Sequence, residues 1–178
     1  MAASSTHERR WRNLIRAVPD FPEAGILYRD ITPLLHDSDA LRAANDALAV
    51  EAEEMSATVI AGIESRGFLF GVAVAERLGL PFVPLRKAGR LPAETEAVTY
   101  DLEYGTDTLE LHRDPSVDGH RVVVVDDLLA TGGTAEAAGR LVRAVGGQAA
   151  GYAFLVELPD LGGRDRLTGS AVSALVQF

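Results

Sequence analysis

Two adjacent carboxylates stand shortly before a run of small and hydroxyl-bearing residues in the second half of the chain. Asp126 and Asp127 follow four consecutive valines, and the segment 130–134 (Ala-Thr-Gly-Gly-Thr) comes after two leucines. Glycines let backbone N–H groups approach an anion closely, and threonine hydroxyls add hydrogen-bond donors. Carboxylates accept hydrogen bonds from sugar hydroxyls and bind metal ions. The pattern therefore predicts a site for a phosphorylated sugar.

The flanking residues predict the elements that position this site. Residues 122–125 are β-branched and apolar, which predicts a strand covered on both faces. Residues 134–144 carry apolar side chains at helical spacing and are followed by two glycines. The beginning of such a helix attracts an anion. In the structural alternative the acids only end the strand and the glycines only form a turn, but the complete order of strand, acids, loop and helix favours the phosphate site.

Residues 122–134 resemble the phosphoribosyl pyrophosphate signature of type I phosphoribosyltransferases, in the variant typical of the adenine-specific members. The segment lacks the lysine of a Walker loop and the third glycine of a dinucleotide fingerprint. The resemblance implies that Asp126 and Asp127 are catalytic and hold the ribose hydroxyls. It also implies that the 5′-phosphate is bound by Ala130, Thr131, Gly132, Gly133 and Thr134.

Two further polar clusters follow predicted strands. Residues 64–67 (Glu-Ser-Arg-Gly) resemble the family's pyrophosphate loop, in which the peptide bond before the serine is often cis, and residues 86–92 resemble its second basic motif, with Arg90 and Ala88 departing from the pattern. Ligands of open α/β sheets bind beyond the carboxyl ends of the strands, so both clusters should lie near the acid pair. The resemblance implies that pyrophosphate is bound by Glu64, Ser65, Arg66, Arg86, Lys87 and Arg90, and that Arg66 is also catalytic. The alternative for 86–90 is a solvated basic edge.

Residues 93–118 interrupt the alternation of strands and helices and predict a β-hairpin that projects from the domain. Its tip is similar to the family's mobile flap, which implies closure over the sugar and exclusion of water. The resemblance further implies that Glu103, at this tip, handles a proton on the base. In the alternative, Glu103 is an exposed carboxylate without a catalytic role.

The N-terminal segment 25–30 is similar to the family's hood for adenine. The resemblance implies that adenine is bound by Ile26, Leu27, Tyr28, Arg29 and Leu158. Tyr28 would stack on the base, Arg29 would donate to a ring nitrogen, and Leu158 would cover the opposite face. Local pattern alone leaves Tyr28 equally suited to be a core aromatic residue.

Predicted strands alternate with predicted helices, which indicates one α/β domain with a central, mostly parallel sheet flanked by helices. We expect a small N-terminal hood at 1–34 and a core at 35–178 that carries the hairpin flap. The predicted helices are 8–17, 39–55, 67–78 and 134–144, and the predicted strands are 58–63, 82–85, 122–125, 151–158 and a last one near residue 178. Residues 21–33 are expected to be irregular because of their prolines and glycines.

Composition narrows the class of protein. The 178 residues include no cysteine, which excludes a disulfide framework and a thiolate metal site. No apolar run approaches the roughly 20 residues of a membrane span, and the first residues lack a signal sequence, so we expect a cytoplasmic protein without a membrane partner. The net charge of −9 argues against non-specific nucleic-acid binding. Lys87 is the single lysine, and every other basic side chain among the 17 Lys and Arg is arginine.

The resemblance implies a glycosyltransferase of purine salvage that moves 5-phosphoribose from phosphoribosyl pyrophosphate to adenine, giving AMP and pyrophosphate. It also implies Mg²⁺, carried mainly by the substrate, and a homodimer. Two alternatives stay open: transfer to another purine (xanthine, hypoxanthine or guanine), or a non-catalytic regulator that senses phosphoribosyl pyrophosphate. Enzymes for 6-oxopurines often place a lysine at the exocyclic oxygen, and the absence of a lysine other than Lys87 favours adenine.

Overall fold

The structure, a computed structural model, describes residues 2–102 and 105–178. Glu103, which the resemblance makes catalytic, lies outside these residues. The chain divides into two compact units, Met1–Ala47 and Leu48–Phe178, which are described separately. The boundary between hood and core that the sequence predicts at residue 34 stays a prediction.

The first unit contains a short antiparallel ribbon between helices. Its elements are α1 (Ala2–Leu14), β1 (Arg16–Pro19), β2 (Leu27–Asp30), α2 (Thr32–His36) and the beginning of α3 (Ser38–Glu54). The prediction of a helix at 8–17 was wrong at its end, where β1 begins at Arg16. The prediction that 21–33 is irregular was wrong at β2. The two segments pair with each other from Arg16↔Asp30 to Pro19↔Leu27, a partnership that local propensity does not show. Trp11 is buried and donates from Nε1 to the Ala40 carbonyl at 3.0 Å.

The second unit is built on a seven-stranded sheet. Its elements after α3 are β3 (Val59–Ile63), α4 (Gly67–Leu78), β4 (Phe82–Lys87), β5 (Thr95–Leu102), β6 (Gly105–His112), β7 (Arg121–Leu129), α5 (Gly133–Ala144), β8 (Gln148–Glu157) and β9 (Ala171–Gln177). The strand order is β5-β6-β4-β3-β7-β8-β9. The five neighbouring strands β4-β3-β7-β8-β9 are parallel to one another. β6 runs antiparallel to both β4 and β5. The predicted α/β class with a mostly parallel central sheet is confirmed.

The four valines at the centre of the sheet are fully buried. Val122 and Val124 belong to the main core together with Leu141 and Val142 of α5. Side chains alternate along a strand, so Val123 and Val125 point to the other face. Because α4 also packs against β7, the sheet carries helices that shield this strand from water. This arrangement accounts for the apolar run that the sequence shows.

Two strands extend further at their carboxyl ends than the sequence predicts. β7 continues through Asp126 and Asp127 to Leu129, because its pairing with β8 extends to Leu129↔Glu157. β4 includes Arg86 and Lys87, which pair with Glu110 and Leu109 of β6. The charged residues therefore lie within the ends of strands, and their positions are fixed by ladder hydrogen bonds.

The hairpin is confirmed, but it does not simply project from the domain. β5 and β6 pair from Thr95↔His112 to Leu102↔Gly105. Tyr100, Leu109 and Leu111 are buried in the main core, and β6 pairs with β4, so the hairpin is part of the sheet. The helices predicted at 39–55, 67–78 and 134–144 agree with α3, α4 and α5 to within one residue at each end. Within the described residues, no helix is long and apolar enough to cross a membrane.

Candidate active site at the carboxyl edge of the sheet

A cavity of about 310 Å³ lies where β3, β4 and β7 end. The predicted residues that line it are Glu64, Ser65, Arg66, Lys87, Asp126, Asp127, Ala130, Thr131, Gly132, Gly133 and Thr134. The three sequence clusters thus meet in one place. Arg86 and Arg90 do not line the cavity themselves, and they reach it through their contacts with Glu64.

The loop at 130–133 has the backbone geometry that an anion site needs. Gly132 has a φ of +81° and directly precedes α5, which begins at Gly133. A Cβ at Gly132 would lie 2.4 Å from the Gly163 carbonyl oxygen, so only glycine fits. The first N–H groups of α5 have no partner within the helix and can face a bound anion. The geometry therefore suits a phosphate group.

The acid pair sits beside this loop with its charge partly compensated. Asp127 is buried, and its Oδ2 lies 3.1 Å from Arg66 Nη1. The Asp127 N–H donates to Asp126 Oδ1 at 2.9 Å. Burial raises the pKa of both carboxyls. The charge of Asp127 raises the pKa of Asp126 further, whereas Arg66 opposes the rise at Asp127. Hydroxyl donors or a cation from a ligand would favour the ionised pair.

Glu64 gathers the basic residues of the second cluster. Its carboxylate lies 3.2 Å from Arg86 Nε and 3.1 Å from Arg90 Nη1, and it accepts the Lys87 N–H at 3.1 Å. Burial opposes ionisation, yet these donors lower the pKa of Glu64 below its usual value. The Glu64–Ser65 peptide bond is cis, as the resemblance implies. Glu64 therefore holds cations at the edge of the cavity as a carboxylate.

Tyr100 and Asp107 also line the cavity, and the sequence did not point to them. Lys87 Nζ lies 3.0 Å from Asp107 Oδ2, and this contact raises the pKa of Lys87. The Tyr100 hydroxyl bonds with Thr134 and Asp107, while burial raises its pKa. Both residues come from the hairpin, so the strands β5 and β6 contact the phosphate loop and the lysine. In the sequence, only their position on the two strands of the predicted hairpin could have indicated that they line the cavity.

The predicted adenine-binding residues of the hood lie in the first unit. The rings of Phe21 and Tyr28 meet edge to face, with centroids 5.1 Å apart. Together with Val18 and Asp30 they line a cavity of about 300 Å³. Ile26 and Leu27 are exposed and Arg29 is half-buried. In the second unit, Leu158 follows β8 and is half-buried, and it does not line the cavity that holds the acid pair.

The donor set allows a metal ion to arrive with a ligand. Across 2–102 and 105–178, no three acidic or histidine side chains converge to hold an ion by themselves. Asp126 and Asp127 supply oxygen ligands beside the phosphate loop, and Mg²⁺ is commonly held by one or two carboxylates plus substrate phosphates. The residues present fit a Mg²⁺ ion that is brought by a diphosphate.

A parallel α/β sheet with an acid pair, a glycine loop and a cation cluster at one edge defines the class of phosphoribosyl transferases. Residues 34–169 match the family described as the phosphoribosyl transferase domain. A protein of Cyanothece named adenine phosphoribosyltransferase is 52% identical over 167 residues, covering 94% of this chain and 98% of its own. Its namesake in Francisella tularensis subsp. holarctica is 54% identical over 169 residues, covering 94% and 97%.

Solved structures agree with this class. The adenine phosphoribosyltransferase of Thermoanaerobacter pseudethanolicus has a TM-score of 0.92 and 49% identity, covering 96% of this chain and 99% of its own. The Saccharomyces cerevisiae enzyme, crystallised with an imino-altritol bisphosphate and adenine, has a TM-score of 0.91 and 38% identity, with the same coverage. The chain belongs to the adenine phosphoribosyltransferase family.

Proposed function

We propose that this protein transfers 5-phosphoribose from phosphoribosyl pyrophosphate to adenine, forming AMP and releasing pyrophosphate. The observation that carries the proposal is the 310 Å³ cavity in which an acid pair, a glycine loop and paired cations lie together. A sugar that bears a monophosphate at one end and a pyrophosphate at the other matches these three groups. The named relatives supply adenine as the acceptor.

In the proposed reaction the bond between the anomeric carbon and the pyrophosphate oxygen breaks while a ring nitrogen of adenine bonds to that carbon. Positive charge develops on the ribose ring, and negative charge develops on the departing oxygen. Arg66, Lys87 and the two arginines on Glu64 stabilise the departing charge electrostatically. Asp126 and Asp127 hold the ribose hydroxyls, and the loop 130–134 holds the 5′-phosphate. Catalysis is then mainly positioning and electrostatics.

The incoming adenine nitrogen loses its proton in forming the new bond. Glu103 is proposed to handle this proton, since it directly follows β5 in the chain and Tyr100 of β5 and Asp107 of β6 line the cavity. We further propose that Tyr28 stacks on the base with help from Ile26, Leu27, Arg29 and Leu158. Asp126 and Asp127 would hold a Mg²⁺ ion brought with the substrate, and this ion would supply charge neutralisation there.

The decisive assay offers each base singly with phosphoribosyl pyrophosphate and Mg²⁺ and follows nucleotide formation. We expect AMP from adenine and no comparable product from hypoxanthine, guanine or xanthine. Turnover of another purine without adenine would overturn the choice of base. Tight binding of phosphoribosyl pyrophosphate without turnover of any base would favour the sensor.

A matched variant links this activity to the site. Asp127→Asn keeps the size of the side chain but removes the charge beside Arg66, so we expect turnover to fall by about 100-fold or more. Asp118→Asn, in the exposed turn before β7, should leave turnover unchanged. Equal turnover of Asp127→Asn and the unmodified protein would remove the acid pair from the mechanism.

We also propose a homodimer. Leu69 and Val72 of α4 are 50% and 51% exposed, and α4 begins directly after the pyrophosphate loop. Apolar side chains that share one helix face are often covered by a partner. Sedimentation of the protein and of a Leu69→Glu variant tests this, because a monomer in both cases contradicts the proposal.

We propose the cytoplasm as its location, since a chain without cysteine forms no disulfide bonds and so gains no stability from an oxidising compartment.

A further inference from the structure

The phosphate loop rests directly on the backbone of the 3₁₀ turn Gly163–Arg166. A Cβ at Gly163 would lie 2.2 Å from the Ala130 carbonyl oxygen and 3.0 Å from the Gly132 nitrogen. A Cβ at Gly132 would in turn lie 2.4 Å from the Gly163 oxygen. No side chain separates the two segments, so a displacement of the turn must displace the loop.

A single arginine fastens this turn to the sheet. Arg164 donates from Nε to Glu157 Oε1 at 2.9 Å and from Nη2 to Glu157 Oε2 at 2.6 Å. Its Nη1 donates to the Val172 carbonyl of β9 at 2.6 Å. The planar guanidinium matches the carboxylate with two parallel bonds, a geometry that lysine cannot reproduce. The turn is therefore held in one orientation relative to β8 and β9.

Glu157 is suited to be the fixed end of this connection. Its side chain is only 4% exposed, and Gln177 Nε2 donates to Oε2 at 2.9 Å. The bond from Arg164 lowers the pKa of Glu157, which keeps the carboxylate ionised at neutral pH. Glu157 also pairs with Leu129 in the β7–β8 ladder, one residue before the phosphate loop begins. The phosphate loop thus follows a strand that pairs with Glu157, and it contacts a turn that Arg164 attaches to Glu157.

We propose that Glu157, Arg164 and Gln177 form a positioning unit that holds the phosphate loop in its anion-binding geometry through the backbone of Gly163. None of the three side chains lines the cavity of the acid pair. Their effect on a ligand is indirect and concerns the 5′-phosphate end only. The inference rests on the proposed role of residues 130–134 in binding the 5′-phosphate.

The test measures the two ends of the substrate separately, with ribose 5-phosphate and with pyrophosphate as probes in titration calorimetry. Arg164→Gln should weaken ribose 5-phosphate binding by about 10-fold or more, since a misplaced loop loses several charge-assisted hydrogen bonds. Pyrophosphate binding should stay within about 2-fold, because its proposed ligands contact neither the turn nor Glu157. Arg164→Lys should recover little, since it restores the charge without the paired bonds.

Arg121 provides a matched control. Its guanidinium also makes three hydrogen bonds, to Ser56 O at 3.1 Å, Met55 O at 2.8 Å and Gln148 Oε1 at 3.0 Å. Arg121 begins β7, at the opposite end of that strand from the phosphate loop. Arg121→Gln should lower the melting temperature without changing the affinity for ribose 5-phosphate. Equal weakening in Arg121→Gln and Arg164→Gln would show a general loss of stability and overturn the proposal.

A second variant acts on the contact itself and does not depend on the fold of Arg164→Gln. Gly163→Ala places a methyl group against the Ala130 carbonyl and should also weaken ribose 5-phosphate binding by about 10-fold or more. Gly146→Ala is the control, because its Cβ would lie 2.2 Å from Asp118 Oδ1 in a turn away from the cavity. Unchanged ribose 5-phosphate affinity in folded Gly163→Ala or Arg164→Gln would overturn the inference. Turnover of adenine by the unmodified protein, measured in parallel, shows whether the proposed function stands independently.

Discussion

Lys87 Nζ lies 3.0 Å from Asp107 Oδ2, in an ion pair that joins β4 to the neighbouring strand β6. The other cations proposed to bind pyrophosphate are paired in the same way: Arg66 with Asp127, and both Arg86 and Arg90 with Glu64. A pyrophosphate that enters the cavity therefore competes with internal carboxylates for these cations.

Removing the charge of Asp107 tests this competition. In Asp107→Asn, Lys87 loses its counter-ion, and the net charge of the cavity rises by one. We expect pyrophosphate to bind about 2- to 5-fold more tightly, the size of a partly exposed ion pair. Calorimetry at low and high salt is the measurement, and the gain should shrink as salt rises.

The control for this experiment is Glu96→Gln on the neighbouring strand β5, which removes a carboxylate that is ion-paired with Arg113 outside the cavity lining. It should change pyrophosphate affinity much less than Asp107→Asn does. Weaker pyrophosphate binding in Asp107→Asn would mean that Asp107 positions Lys87 rather than competing for it.

Asp126→Asn should stabilise the ligand-free protein at neutral pH while lowering turnover. Burial and the neighbouring Asp127 raise the pKa of Asp126, so the ionised carboxylate is held at a cost. A raised folded-state pKa gives a contribution that is complete below the unfolded-state pKa and lost as the pH rises through the folded-state value. Asparagine does not ionise, so the variant should be more stable than the unmodified protein near pH 7 and should unfold at a higher temperature.

Thermal unfolding of both proteins from about pH 4 to pH 8 checks this, with the difference expected to vanish toward the acid end. Asp160→Asn, an exposed carboxylate, should show no such pH-dependent gain. A melting temperature of Asp126→Asn below that of the unmodified protein across the whole range would contradict the prediction.

Tyr100→Phe should raise the KM for phosphoribosyl pyrophosphate several-fold. The substitution removes a hydroxyl group that forms hydrogen bonds with Thr134 in the phosphate loop and with Asp107 beside Lys87. Tyr152→Phe is a matched control, since this buried tyrosine bonds with Arg143 and does not line the cavity. Each variant should lose about 0.5–1.5 kcal/mol of stability, but only Tyr100→Phe should change KM. Steady-state kinetics combined with urea unfolding distinguishes the two effects.

Tyr28→Ala should raise the KM for adenine by about 10-fold or more, because base stacking on an aromatic ring is worth roughly 1–3 kcal/mol. Tyr28→Phe keeps the ring and its contact with Phe21, so it should retain most of the affinity for adenine. Pyrophosphate affinity should be the same in both variants. An unchanged KM for adenine in Tyr28→Ala would leave Tyr28 as a structural aromatic residue of the hood.

The sequence predicted the class of fold, the three clusters and their meeting at one edge, because each rests on local patterns and a general rule of α/β sheets. It placed the end of β7 at Val125, since a pair of carboxylates usually marks the end of a buried strand. The pairing of Leu129 with Glu157 extends the strand, and this pairing depends on β8, which the whole of α5 separates from β7 in the chain.

The missed residues have a similar explanation. Tyr100 and Asp107 reach the cavity because β6 pairs with β4 only at Arg86↔Glu110 and Lys87↔Leu109, a register that the hairpin sequence does not specify. The pairing of Arg86 and Arg90 with Glu64 likewise depends on side-chain geometry rather than on spacing. Local patterns located the charges, and tertiary contacts decided their partners.

The single lysine has a practical consequence for experiments on this chain. Lys87 carries the only side-chain amine, and it lines the cavity of the acid pair. Once the α-amino group, whose pKa is about 8, has been blocked, an amine-directed fluorophore would therefore report from the pyrophosphate end of the cavity without any engineered attachment point. Because the Asp107 contact raises the pKa of Lys87, labelling should be slow at neutral pH and faster in alkaline buffer. The absence of cysteine leaves thiol chemistry free for a second dye on an engineered cysteine in the hairpin, so that energy transfer between the two dyes tests whether the hairpin closes over the cavity as the resemblance implies.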